Sequence, residues 1–274
     1  MKVRTDLELD LFLEGIFRAY HYDFRAYSRP SMRRRIETAL AAFGLPTITA
    51  LLDRVIHDPS AFSAILPRLT TQVSEMFRDP GYWRALRDHV VPELATYPFI
   101  RVWVAGCGAG EEAYSMAVLL HEEGLLERSQ IYATDIDTAS LEEASAGIYE
   151  IDRLKIFSEN YFAAGFRRSL SDYYTTAYGL ASMAPALRKR ILFSDHSLAT
   201  DAAFAEVQLV SCRNVLIYFE RPLQDRAIGL FAESLGPRGF LGLGSHESLQ
   251  FSDWSGAFDA VARDQRIFRL KGAN

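Results

Sequence analysis

The sequence lacks the features that mark secreted, membrane-spanning and disulfide-stapled proteins. It contains two cysteines, Cys107 and Cys212, which lie far apart without paired spacing, so we expect buried, reduced thiols. No apolar run reaches the ~18 residues that a membrane span needs. Segment 1–20 alternates acidic with apolar residues and lacks the uninterrupted apolar core of a signal peptide. A cytoplasmic protein without membrane insertion is therefore predicted.

Charge of one sign is not in large excess, and no metal-binding pattern is found. The net charge of the 274 residues is −5, which predicts no general affinity for nucleic acid. His196 and His246 have no partner at metal-ligand spacing, so no metal site is predicted. The chain is long enough for one large domain or for two of ordinary size.

The hydrophobic pattern changes near Pro98. Residues 1 to about 95 have helical periodicity throughout, with Ser31 predicted to cap one helix and Gly44 to end it. After Pro98, short β-rich runs alternate with helical segments, which predicts a parallel sheet covered on both faces. The predicted strands are 100–106, 130–137, 205–212 and 239–245, followed by a terminal hairpin over 258–270. Residues 151–190 break the alternation and predict a small inserted excursion of short strands.

A glycine turn joins the first predicted strand to a helix. Gly106, Gly108 and Gly110 are followed at once by Glu111 and Glu112, and the dinucleotide fingerprint G-x-G-x-x-G is not met. A pyrophosphate would compete with these carboxylates for the N–H groups of the helix start, whereas a cationic ligand would not.

The next strand ends in a second acidic pair, Asp135 and Asp137, where a ribose-binding carboxylate lies in nucleotide-binding α/β sheets. S-adenosylmethionine carries a ribose, a sulfonium and an α-ammonium but no phosphate. The residues therefore favour a methyl donor over a dinucleotide. Packing glycines with solvated acids remain the alternative.

Five stretches resemble the chemotaxis receptor glutamate methyltransferases of the CheR type. They occur in family order and spacing, and they read TTQVSEMFRD, VWVAGCGAGEEAYSMA, IYATDIDTASLEEASAGIY, VSCRNVLIYF and GFLGLGSHESL. The resemblance implies an α/β, class I S-adenosylmethionine-dependent methyltransferase fold. This fold has a Rossmann-like, mostly parallel sheet that ends in an antiparallel hairpin. The implied domains are a helical domain over 1–76, a linking helix over 77–98, and a methyltransferase domain over 99–274 with an inserted β subdomain at about 151–192.

The family's site residues carry over to matching positions. The resemblance implies that Arg78 and Tyr218 lie beside the reactive methyl and act in catalysis. It implies cofactor contacts at Gln72, Ser74, Arg78, Gly106, Glu111, Glu112, Asp135, Ser197, Leu198, Asn214 and Val215. Gln72, Ser74 and Ser197 depart from the family's usual Asn, Thr and Asn, and Ala113 replaces its proline.

A basic run, Arg33 to Arg35, is expected in the first turn of a helix, where cations are disfavoured. Such placement favours docking on an acidic helical partner through Arg33, Arg34 and Arg35, with a solvated basic face as the alternative. The resemblance names the partner as the glutamate-rich cytoplasmic helices of a chemoreceptor. It also implies a monomer.

The implied reaction moves a methyl group from S-adenosylmethionine to a glutamate side chain, giving a methyl ester and S-adenosylhomocysteine. Glutamate, with a pKa of about 4.3, is ionised near neutrality and needs no general base. The motifs show no obvious His–acid pair, which fits this expectation. The substituted family positions leave two alternatives open. One is a weak or inactive cofactor-binding signalling module, and the other is a small-molecule methyltransferase.

Overall fold

The computed structural model describes residues 2–70, 74–250 and 252–272, and side chains from residue 5 onward. Gln72 lies outside the described residues. The chain divides into two compact units. The first contains the described residues up to 70 together with 197–201 and 218–227, and the second contains the rest.

Helices and strands follow one another in an order typical of an α/β protein with an N-terminal helical part. The helices are α1 (Lys2–Tyr20), α2 (Arg29–Phe43), α3 (Ile48–His57), α4 (Pro59–Leu69), α5 (Pro80–Ala85), α6 (Val91–Leu94), α7 (Glu111–Glu122), α8 (Thr138–Ala146), α9 (Arg153–Ala163), α10 (Pro185–Arg188) and α11 (Arg221–Ser234). The strands are β1 (Ile100–Ala105), β2 (Ser129–Asp135), β3 (Ile148–Glu150), β4 (Tyr174–Ala177), β5 (Leu180–Met183), β6 (Ile191–Asp195), β7 (Val207–Cys212), β8 (Leu235–Leu243), β9 (Phe258–Ala262) and β10 (Ile267–Leu270).

Helices α1 to α4 make up most of the first unit, as the sequence predicts. Their apolar faces are buried, with Phe12, Ile36, Leu51 and Ile65 at most 1% exposed. Thr47 and Asp58 cap α3 and α4 through side-chain oxygens that accept from backbone N–H groups.

The start of α2 differs from the prediction. The helix begins at Arg29 with Ser28 at the N-cap position, so Ser31 lies within the helix and is not its cap. Pro30 explains the earlier start, because its fixed φ and missing N–H suit the first helical turn. The arginine run therefore lies in the second turn, and the expectation that it crowds the first turn is wrong. Gly44 ends the helix in a left-handed conformation, as predicted.

The segment before the sheet is helical but contains a π-helical turn over Leu86–Val90, between α5 and α6. There the N–H of Val91 donates to the carbonyl of Leu86, five residues back. Pro92 follows at once and has no N–H to continue the α-helical hydrogen bonds. This accounts for the change from α-helical to π-helical hydrogen bonding.

A seven-stranded sheet forms the framework of the second unit, in the order β6-β2-β1-β7-β8-β10-β9. The neighbouring strands from β6 to β8 pair in parallel, and β10 pairs antiparallel with β8 and β9. The terminal hairpin and the parallel strands confirm the predicted fold class. Strand β6 was missed as part of this sheet. It is a short edge strand whose first residue, Ile191, is its only buried one, so it lacks the apolar pattern of an interior strand.

A second, three-stranded antiparallel sheet has the order β3-β5-β4. Tyr149, Ala181 and Met183 form its buried face and belong to the continuous core of this unit. This sheet confirms the predicted excursion of short strands.

The strand order fixes where a ligand can bind. Strand β1 lies between β2 and β7. The strands that follow β1 in the chain are therefore placed first on one side of it (β2 and β6) and then on the other (β7 and β8), so the strand order reverses at β1. In open α/β sheets, ligands bind beyond the carboxyl ends of the strands at such a point. The glycine turn follows β1, the acidic pair Asp135 and Asp137 lies at the end of β2, and the segment 213–215 follows β7. All three segments belong to the second unit.

Within the part of the chain that the structure describes, no single helix has the length and apolarity to cross a membrane. The pair α2 and α3 passes that test only when taken together, with a bend of 71° between them.

Candidate functional site

The glycine turn leaves β1 and enters α7 with little space for side chains. Gly106 and Gly110 have φ of +73° and +91°, in the left-handed region. A Cβ added to Gly106 would lie 2.3 Å from Cγ2 of Val215, and one added to Gly110 would lie 2.9 Å from Cβ of Ala144. Glycine is required at both positions by close approach as well as by backbone conformation.

The two acids at the start of α7 have different surroundings. Glu111 is fully buried, and its Oε1 lies 2.6 Å from Nη2 of Arg153. Its Oε2 is buried and has no hydrogen-bond partner among the described residues. A buried acceptor without a partner costs stability, and a bound cationic donor would remove that cost.

Glu112 is satisfied by the protein itself. Its Oε1 accepts from Oγ of Ser211 at 2.6 Å, and its Oε2 accepts from Nη1 of Arg213 at 3.1 Å. The structure therefore distinguishes the two acids, which the sequence did not. Glu111 offers an acceptor to a ligand, and Glu112 anchors the end of β7.

Arg213 joins the end of β7 to the linker that carries Arg78. Its side chain is 1% exposed, and Nη2 donates to Oδ2 of Asp79 at 2.7 Å and to the carbonyl of Arg78 at 3.0 Å. The guanidinium also lies 4.1 Å from the centre of the Tyr82 ring. Sequence reasoning did not select Arg213, although it stands next to Asn214 in the CRNV motif.

The linker around Arg78 is strained. Phe77 and Asp79 both have φ of +54°, a backbone conformation that residues other than glycine rarely adopt. The Arg78 carbonyl between them accepts from Nε1 of Trp83 and from Arg213. The backbone at Arg78 is therefore fixed by two buried donors.

Asp135 ties the glycine turn to the end of β2. Its Oδ2 accepts from the N–H of Gly108 at 2.8 Å, and its Oδ1 accepts from the N–H of Asp137 at 3.0 Å. Burial raises the pKa of Asp135, and these two N–H groups partly oppose that shift. A carboxylate has about four acceptor positions, so acceptor capacity remains for sugar hydroxyls.

The remaining predicted site residues of the second unit are Ser74, Asn214 and Val215. The carbonyl of Ser74 accepts from Nη2 of Arg153, the same nitrogen that contacts Glu111. Asn214 and Val215 follow β7, and Asn214 has φ of +62°. Their N–H groups donate to Glu247, a residue that sequence reasoning did not single out.

Ser197, Leu198 and Tyr218 belong to the first unit. The Ser197 N–H donates to Asp201, and the Leu198 carbonyl accepts from Nη1 of Arg226 at 2.6 Å. The guanidinium of Arg35 lies over the ring of Tyr218, 4.5 Å from the ring centre.

The basic run has three different environments. Arg35 is buried and donates to the carbonyl of Leu69, and Arg33 is half-buried and pairs with Asp6. Arg34 is exposed. Of the three residues predicted to dock a partner, Arg34 is therefore the one whose side chain is exposed to solvent.

The residues at the carboxyl edge of the sheet fit S-adenosylmethionine. Glu111 has a buried oxygen for an ammonium group, Asp135 has capacity for ribose hydroxyls, and the glycines admit a chain close to the backbone. Over residues 2–70, 74–250 and 252–272, no cluster of three or more His, Cys, Asp or Glu side chains could hold a metal ion.

Two family descriptions cover nearly the whole chain. Residues 72–265 match the CheR methyltransferase SAM binding domain, and residues 7–70 match the CheR methyltransferase all-alpha domain. The chain belongs to the CheR methyltransferase family. The predicted fold class and the resemblance to CheR-type methyltransferases are thereby confirmed. The chain is an S-adenosylmethionine-dependent methyltransferase.

Named relatives cover most of the chain. A Pseudomonas putida protein named Cher3 is 57% identical over 265 residues, which are 97% of each chain. A chemotaxis protein methyltransferase of Listeria monocytogenes is 31% identical over 248 residues, covering 89% of this chain and 92% of the relative. The enzyme of the same description from Klebsiella aerogenes is 31% identical over 263 residues, covering 94% of this chain and 82% of the relative.

The ion pairs of Arg213 give a first prediction. Arg213→Lys keeps the charge but removes the planar fork that reaches Glu112 and Asp79 together, so we expect the unfolding free energy of the second unit to fall by about 2–4 kcal/mol. Urea unfolding followed by tryptophan fluorescence measures this, because all three tryptophans lie in that unit.

Arg190→Lys is the matched control, because Arg190 pairs with Glu127, whose side chain is 82% exposed. A loss below about 0.5 kcal/mol is expected there. Equal unfolding midpoints for the two variants would contradict the anchoring role of Arg213.

Proposed function

We propose that this CheR-family protein transfers a methyl group from S-adenosylmethionine to glutamate side chains on the cytoplasmic helices of chemoreceptors. The observation that carries the proposal is the buried Oε2 of Glu111 at the carboxyl edge of the sheet, which has no hydrogen-bond partner in the described part of the chain. Family membership and the names of the relatives support the chemotaxis substrate.

The residues of the second unit have distinct roles in this proposal. Glu111 binds the α-ammonium of the donor, and Asp135 accepts hydrogen bonds from the ribose hydroxyls. Glu112 and Arg213 hold the backbone on either side of the donor. Bound S-adenosylmethionine supplies a methyl group on a positively charged sulfur. With the methyl group supplied by the donor, the remaining task of these residues is to position the reactants and to exclude water.

The transfer needs no proton movement. A carboxylate oxygen of the substrate bonds to the methyl carbon while the carbon–sulfur bond breaks, and the electron pair of that bond stays on sulfur. An anion and a cation become a neutral ester and a neutral thioether. Arg78 orients the carboxylate in this proposal. Orientation alone supplies roughly 7–11 kcal/mol at best, so its placement decides the rate.

The activity is tested with methyl-labelled S-adenosylmethionine and a chemoreceptor cytoplasmic fragment. Label is expected on the fragment and is expected to leave as methanol in mild alkali, because an ester hydrolyses there and an N-methyl group does not. A fragment with alanine at the labelled glutamates is the control. Label that resists alkali, or no label on any fragment, would exclude glutamate methylation.

The donor site gives a second prediction. Glu111→Gln removes the charge opposite the ammonium, and truncating a buried charge pair weakens binding by about 30-fold or more. Calorimetry with S-adenosylhomocysteine measures the dissociation constant. Glu143→Gln, an exposed acid on α8, removes the same charge elsewhere and should leave affinity unchanged. Wild-type affinity in Glu111→Gln would rule out Glu111 as the ammonium contact.

The exposed arginine of α2 gives a third prediction. If Arg34 docks on glutamate-rich helices, Arg34→Glu should raise KM for the receptor fragment about fivefold, and added salt should shrink the difference. Affinity for S-adenosylhomocysteine should not change. Arg68→Glu places the same charge change on an exposed position of α4 and is the control. Identical KM values for both variants would remove docking by Arg34.

A further inference from the structure

Glu247 lies in the loop after β8 and is 4% exposed. Its carboxylate accepts four backbone hydrogen bonds. Oε1 accepts from the N–H of Val215 at 2.8 Å and of Leu216 at 2.7 Å. Oε2 accepts from the N–H of Asn214 at 3.1 Å and of Gly244 at 2.6 Å. One buried side chain therefore closes the ends of β7 and β8 together.

The three consecutive N–H groups from Asn214 to Leu216 converge on this carboxylate because Asn214 is left-handed, with φ of +62°. Successive N–H groups in such a turn form a concave anion site. Here the anion is supplied by the protein, and all acceptor positions of Glu247 are used. Burial raises the pKa of Glu247, and the four N–H groups oppose that effect.

The loop held by Glu247 touches the glycine turn. The side chain of Val215 lies so close to Gly106 that a Cβ there would approach its Cγ2 to 2.3 Å. A shift of the Val215 backbone would therefore move the surface of the turn that leads to Glu111. Gly244 is equally confined, since a Cβ there would lie 2.8 Å from Oε2 of Glu247.

We propose that Glu247 is a positioning residue for the methyl donor, which acts by holding Asn214 and Val215 against the glycine turn. This inference rests on the proposed function of the site. It assigns to Glu247 an effect on donor affinity that is separate from its contribution to stability. Receptor recognition should not depend on it.

The test replaces Glu247 by glutamine in the full chain. A carboxamide of the same shape presents one acceptor oxygen and turns an NH₂ donor toward N–H groups, so two of the four bonds cannot form. We expect affinity for S-adenosylhomocysteine to fall at least about tenfold. KM for the donor should rise, while kcat at saturating donor stays within about threefold of wild type.

Glu122→Leu is the matched control for stability. Glu122 ends α7 and accepts from the hydroxyls of Tyr161 and Tyr173, so its loss destabilises the same unit through a different site. Donor affinity of this variant should stay within about twofold of wild type. Positioning is overturned if Glu247→Gln binds as tightly as wild type, or if both variants lose affinity in proportion to their lost stability. Failure of wild type to bind S-adenosylhomocysteine would instead defeat the proposed function.

A second measurement applies if Glu247→Gln does not fold. In wild type, the amide protons of Val215 and Leu216 should exchange with solvent as slowly as those of β7, and S-adenosylhomocysteine should slow them further. Exchange at the rate of exposed loop amides, or no response to the ligand, would overturn the proposal.

Discussion

The site depends on the incomplete pairing of one buried carboxylate. Glu111 is removed from water, yet among the described residues only one of its oxygens has a partner, Nη2 of Arg153. An unpaired buried acceptor costs about 1–3 kcal/mol, and more when the group is charged. Glu112, the next residue, is satisfied on both oxygens. This asymmetry supports the proposal that a cationic group binds at the first turn of α7, where a phosphate would meet two carboxylates.

Two other buried charges, Arg213 and Glu247, bind backbone at or next to left-handed residues. Left-handed residues other than glycine cost about 1–3 kcal/mol each and persist only where their surroundings fix them. Phe77 and Asp79 flank the Arg78 carbonyl that Arg213 binds, and Asn214 donates its N–H to Glu247. Phe77 and Asp79 lie in the linker, and Asn214 lies in the segment after β7. Both are backbone segments that the site needs in one conformation.

The sequence predicted the parts of the fold that have local signals. Strand β1, the glycine turn and Asp135 follow from apolar periodicity and from residue types at strand ends. Strand β6 was missed because it lies at an edge and buries little. The start of α2 was misplaced because Ser31 offered a cap, whereas Pro30 sets the first turn. Roles that depend on long-range contacts could not be read, including the inward orientation of Glu111 and the four N–H groups that converge on Glu247.

The distribution of charge suits a reaction that destroys charge. In the proposed reaction, a sulfonium and a carboxylate give neutral products, so a dry site would favour the transition state over separated ions. A strong bidentate pair between an arginine and the substrate carboxylate would oppose this by stabilising the reactant. In this chain the buried guanidinium of Arg213 binds backbone and protein carboxylates, and the buried carboxylate of Glu247 binds only N–H groups. These buried charges therefore fix the frame of the site, and under the proposed function the substrate carboxylate would be left to weaker contacts that preserve its nucleophilicity.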